Sequence, residues 1–124
     1  MFPPETIKKL ENRLNSLLDD CDVIDASIVS TMDGHLCAMK QRGNLAVERL
    51  AIMGSSLIAL GDAITEELKM GTCDKIISEN QNGIVAFMHI NEDLVLVTIT
   101  TNKNGLGMLL SHARRCAKEM LNLI

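Results

Sequence analysis

Near the start of the chain, apolar residues recur at Ile7, Leu10, Leu14, Leu17, Leu18 and Cys21, the three-and-four spacing of one helical face. Behind Pro3-Pro4, a favoured helix start, this predicts a helix over residues 5–19. Residues 23–31 and 35–40 read as strands of a hairpin around Met32-Asp33-Gly34, where Asp-Gly supplies the positive φ of a tight turn. Gln41-Arg42-Gly43-Asn44 breaks the pattern, and Asn44 is placed to cap a second helix over residues 45–69. Residues 75–79, 84–90 and 94–101 read as three more strands, whose short connections require antiparallel neighbours. The last two are apolar on both alternating faces, so helices should cover the sheet on both sides. After Asn102-Lys103-Asn104-Gly105, the run Leu106, Leu109, Leu110, Ala113, Cys116, Ala117 and Met120 makes a third amphipathic helix. The order αββαβββα predicts an α+β fold, an antiparallel sheet between helical layers.

The second helix carries two apolar stripes. At 100° per residue, Leu50, Met53, Leu57, Leu60, Ile64 and Leu68 share an arc of about 80° and make the expected core stripe. Beside it, Val47, Ala51, Gly54, Ile58, Gly61 and Thr65 form a stripe in which nothing is long. Two internal glycines cost roughly 1 kcal/mol each against alanine, so another backbone should approach them closely. That backbone belongs either to the chain's own sheet or to the same helix of a second subunit. The prevalence of twofold dimers favours the second reading, with the unpaired sheet edge at Lys75 and Ile77 joining the interface. On the opposite arc, Ser56, Ala59, Ala63 and Glu66, with Glu48 and Glu67 nearby, form a surface of small residues and acids suited to docking a partner.

Composition narrows the function. With 124 residues and no linker, repeat or low-complexity segment, the whole chain, 1–124, is expected to be one domain. A net charge of −4 argues against nucleic acid, and two Phe with no Tyr or Trp remove base-stacking platforms and aromatic pocket linings. No apolar run approaches the roughly 20 residues of a membrane span, and the first residues lack the basic region of a secretory signal, so a cytoplasmic protein with no membrane insertion is expected. Cys21, Cys37, Cys73 and Cys116 are separated by 16, 36 and 43 residues, which is no zinc-ribbon or redox spacing.

The remaining motifs fail on spacing. Gly105-Leu106-Gly107 opens a helix after a strand, but Leu110 stands where a dinucleotide fingerprint needs its third glycine. Gly54-Ser55-Ser56 lies inside a helix and has Ile58 where a nucleophile elbow needs glycine. Asp19, Asp20, Asp22 and Asp25 lack the glycine and distal Glu of a calcium loop. The pairs His35 with Cys37 and His112 with Cys116 have same-face spacing, and would make a zinc site only if the hairpin and the third helix met there. Arg114 and Arg115 read as solvated cations complementing a helix dipole, with docking of an acidic partner as the other possibility. No catalytic residue, metal ligand or cofactor is expected.

The order of elements and four local motifs resemble the Roadblock/dynein light-chain family over essentially the full chain. The motifs are Asp33-Gly34 with Leu36 and Ala38, the helix segment Leu50-Ala51-Ile52-Met53-Gly54-Ser55-Ser56-Leu57, the strand before Asn102-Lys103-Asn104-Gly105-Leu106-Gly107, and Arg114-Arg115-Cys116-Ala117. The resemblance implies a profilin-like three-layer α/β/α fold, a five-stranded antiparallel sheet with helix 2 on one face and helices 1 and 3 on the other. It also implies a dimer through helix 2 and the third strand. The function it implies is a homodimeric, non-enzymatic regulator of a small Ras-like GTPase, with a dimeric scaffold that leaves GTP hydrolysis unchanged as the alternative. In such regulators the GTPase's own catalytic residues are remodelled, so no arginine finger is carried over.

Overall fold

The computed structural model describes residues 2–124. Helix α1 (Pro4–Asp20) begins directly behind Pro3 and buries Leu10, Leu14, Leu17 and Leu18, the stripe read from spacing. Strands β1 (Ala26–Thr31) and β2 (Leu36–Gln41) form the expected hairpin, with Gly34 at φ +89° in its turn. Helix α2 (Leu50–Glu67) is followed by β3 (Lys75–Asn80), β4 (Gly83–His89), β5 (Leu94–Thr100) and α3 (Leu106–Leu121).

All strand pairs are antiparallel, in the order β2-β1-β5-β4-β3. The centre of the sheet therefore joins strands far apart in sequence, with Ala26 opposite Ile99 and Thr31 opposite Leu94. On one face, α1 and α3 enclose a core that includes Leu10, Leu14, Val29, Leu96, Ala113 and Met120. On the other, α2 closes a smaller core over Ile28, Phe87, Val95 and Val97. The three layers match the α+β, profilin-like arrangement that the resemblance implied.

Two expectations fail, and both concern α2. The helix starts at Leu50, and Asn44 does not cap it; Arg49 stands at the N-cap without a side-chain cap bond. Residues 42–49 are instead a pinned loop. The Gln41 side chain brackets Leu45, its Oε1 accepting from the Leu45 N–H at 2.7 Å and its Nε2 donating to the Leu45 carbonyl at 3.2 Å. Val47, 1% exposed, is drawn into the α2-side core.

The second failure is the orientation of the helix. The small-residue stripe, read as a contact with a second subunit, faces the chain's own sheet: Ala51, Gly54, Ile58 and Gly61 are all buried. The supposed core stripe faces out, with Met53, Leu60, Ile64 and Leu68 between 51% and 58% exposed. The sheet decides this. Its α2 face carries Phe87, Val95 and Val97, which together with Ile58 and Val47 fill this core, and where Phe87 and Val97 stand highest only a residue without a side chain fits above them. A Cβ on Gly54 would lie 3.2 Å from Val97 Cγ2 and 3.3 Å from Phe87 Cδ1. On Gly61 it would lie 2.9 Å from Cys73 Sγ and 3.0 Å from Ile76 Cδ1. The glycines do meet a close neighbour, and it is intramolecular. Val47, Ala51, Gly54, Ile58 and Gly61 are therefore core residues of one protomer.

Candidate protein-interaction surface

Turning the small stripe inward determines what α2 presents to the outside. About 100° around the helix from that stripe lie Met53, Leu57, Leu60, Ile64 and Leu68. Leu57 is half-buried at the rim of the α2-side core and the other four are exposed. Isolated surface leucines are ordinary; a contiguous apolar run along one helix is not.

The run is continuous with a sheet edge. The C-terminal half of α2 descends on Ile76 of β3, where Gly61 permits close approach. In the described sheet β3 pairs with β4 on one side, leaving its other edge open, and Lys75, Ile76, Ile77 and Ser78 are half-buried there. Lys75 and Ile77 thus stand at the edge expected from the sequence. Thr65 is half-buried and donates to the Asp62 carbonyl at 3.1 Å, which ends the inward stripe in a local bond. Ser56, Ala59, Ala63 and Glu66 are exposed, on an arc turned about 140° from the inward stripe.

Polar side chains in the neighbourhood hold structure together. Asp62 accepts from the Cys73 N–H through Oδ1 at 3.0 Å and meets His89 Nε2 through Oδ2 at 2.9 Å. His89 Nδ1 lies 2.9 Å from the Asn91 carbonyl, so both ring nitrogens are engaged and none is free to activate a nucleophile. Asp62 thereby ties α2 to the approach to β3 and to the end of β4. No sequence signal marks this contact, which spans 27 residues.

The surroundings of Cys73 and Cys116 disfavour their thiolates. Burial raises the Cys73 thiol above its ordinary value, and the carboxylates of Asp62 and Asp74 raise it further against a backbone hydrogen bond from Lys75. Burial pushes Cys116 up to about 11, with Arg13 opposing and Glu119 adding. Among the described residues no three His, Cys, Asp or Glu side chains converge as a metal site. His35 is exposed, and His112 lies beside Arg115 Nη2 at 3.3 Å. Of the aspartate cluster, Asp25 ties the start of β1 to the end of β5, accepting from the Thr101 N–H at 2.6 Å and hydroxyl at 2.8 Å. No described helix is long and apolar enough to cross a membrane.

No family model matches this sequence, and neither does any curated protein. Its fold does match solved structures. MglB of Myxococcus xanthus superposes over 100% of this chain and 96% of its own, with a TM-score of 0.88 and 16% sequence identity. A Roadblock/LC7 domain from Streptomyces avermitilis covers 88% of this chain and 92% of its own, at a TM-score of 0.77 and 12% identity. The profilin LokiProfilin2, solved in complex with rabbit actin, covers 94% of this chain and 98% of its own, at 0.56 and 19%. This chain accordingly has the Roadblock fold, the profilin-like α+β arrangement it shares with MglB and the Roadblock/LC7 domain.

Proposed function

We propose that this chain is a homodimeric, non-catalytic regulator of a small Ras-like GTPase, acting in the cytoplasm. The observation that carries the reading is the outward apolar stripe of α2 running beside the open edge of β3. In a twofold dimer, Met53, Leu57, Leu60, Ile64 and Leu68 of two helices pack side by side while the two β3 edges meet, removing both an apolar patch and an unpaired edge. Lys75 and Ile77 remain interface residues in this arrangement; the buried α2 stripe does not.

Pairing the helices through that stripe leaves Ser56, Ala59, Ala63 and Glu66 of both protomers on one shared outer surface. Small side chains let a partner approach two helices at once, and the acids select for basic groups on it. The likeness to MglB and to a Roadblock/LC7 domain supports a GTPase as that partner, through the family resemblance of the sequence. No catalytic residue is assigned to this chain, which would act by repositioning groups of the GTPase.

The test pairs the purified chain with a Ras-like GTPase encoded beside it and follows GTP hydrolysis and nucleotide exchange. The expected result is a change in one of these rates that Glu66→Arg or Ala59→Arg reduces while dimer mass is preserved. Binding that alters neither rate would establish the scaffold alternative. Absence of binding would overturn the proposal.

A further inference from the structure

On the sheet face opposite α2, the helical layer stops short of the edge. Helix α3 packs over β5 and β4, and beyond it, toward the start of β3, a groove of about 310 Å³ remains open. Its floor is apolar: Met88, Ile90 and Ala117 are 5%, 6% and 7% exposed, and Leu121 at its mouth is 47% exposed. Its rim is basic, carrying Lys75, Arg114 and Lys118. Among the described residues none of these three cations forms an ion pair, whereas Glu119, one residue from Lys118, is bound by Arg13 of α1. Asp74 is the one carboxylate on the groove, and His89, also there, is engaged by Asp62.

The helix dipole accounts for Lys118, which lies in the last turn of α3, but not for Arg114, which lies a turn earlier. Three unpaired cations around one recess are notable on a chain of net charge −4. We infer that this groove is a second docking site, for an acidic amphipathic segment of a partner protein. An apolar side chain of the segment would sit on Ala117 and Leu121, and its flanking carboxylates would take the Arg114 fork and the Lys118 ammonium, with Lys75 left to the β3 edge that the proposed dimer uses. A free inorganic anion would have no use for the apolar floor. A flat bilayer would not reach it, because the floor is recessed. The groove and the outer surface of α2 lie on opposite faces of the sheet, so both can be occupied together. This inference is independent of the GTPase reading and assigns the chain a second, simultaneous partner.

The test uses the full chain as bait for a displayed library of random peptides, with counter-selection on the doubly substituted Arg114→Glu/Lys118→Glu chain. Both side chains are exposed, so the variant should keep the parent's circular dichroism. The surviving peptides are expected to carry Asp or Glu around Leu, Ile or Met at three-and-four spacing. Their affinity by fluorescence anisotropy should fall about tenfold or more in the charge-reversed variant, and also fall in Leu121→Ser. Amide shifts on binding should centre on Met88, Ile90 and Leu121. Glu66→Arg should leave peptide binding unchanged, which separates failure of this site from failure of the GTPase surface. The inference is overturned if no peptide distinguishes parent from variant, if the selected peptides are basic, or if the shifts map to α2. It is also overturned if phosphatidylserine vesicles, rather than any peptide, discriminate between the two proteins.

Discussion

Replacing Leu60 by Asp tests which face of α2 meets the second protomer. Complete burial of a leucine side chain is worth about 1.5–3 kcal/mol. Leu60 is 58% exposed in the protomer, so the part still available for burial stands for roughly 1–1.7 kcal/mol. A twofold interface buries it twice, giving about 2–3 kcal/mol per dimer. At about 1.4 kcal/mol per decade, lost burial alone weakens association roughly a hundredfold, and desolvation of two carboxylates adds to that. Sedimentation velocity over a dilution series reads the effect: Leu60→Asp should remain a 13.6 kDa monomer at concentrations where the parent is dimeric. Thermal unfolding extrapolated to low concentration should be nearly unchanged, because Leu60 belongs to neither core cluster. The reasoning fails if the parent itself sediments as a monomer at micromolar concentration, or if Leu60→Asp dimerises with the parent's constant.

Gly61→Val forces a branched side chain against Cys73 Sγ and Ile76 Cδ1, at 2.9 Å and 3.0 Å from the new Cβ, and should cost about 1–3 kcal/mol in urea unfolding; an unchanged midpoint would contradict the packing described. Arg42 donates to the carbonyls of Ile24 at 2.9 Å, Cys21 at 3.1 Å and Leu18, so Arg42→Met, which keeps much of the stem, should lower stability by about 2 kcal/mol; full stability would mean that water replaces those bonds. Burial holds the Cys116 thiol at about 11 against an ordinary 9.0, so its contribution is complete below pH 9 and fades as pH rises toward 11 and the unfolded chain ionises first. The loss is at most about 3 kcal/mol, and Cys116→Ala should flatten this alkaline decline in a pH series of unfolding midpoints.

The sequence was readable wherever one face of an element was apolar and the other polar. In α1 the spacing of Leu10, Leu14 and Leu17 admits one orientation, and the structure adopts it. Asp33-Gly34 likewise identifies its hairpin, because the turn needs a residue at positive φ. Helix α2 is apolar over much of its circumference, so its own residues do not say which stripe goes down. That choice lies in the sheet beneath it, where Phe87 and Val97 crowd Gly54 and where Cys73 and Ile76 crowd Gly61, with Ile58 the one large side chain of the stripe taken into the core. Placing the largest side chains inside fails when the opposing layer has already filled the volume. The Asp62–His89 contact and the three carbonyls gathered by Arg42 were hidden for another reason: each joins residues 18 to 27 positions apart through turns whose path periodicity does not encode.

The place of β5 between β1 and β4 has a consequence for biosynthesis. While α1, β1, β2 and α2 emerge from the ribosome, β1 has only β2 to pair with, and its inner edge waits for residues 94–99. The core beneath α1 waits as well, since Leu94, Leu96 and Ala113, Cys116, Ala117 and Met120 of α3 belong to it. The first half of the chain thus spends most of translation as an unfinished hairpin with an open edge, and the central ladder closes late through contacts of long sequence separation. Fragments ending before β5 should associate through that edge and aggregate. The hazard is greatest just before residue 94 and ends when β5 zips into the middle of the sheet.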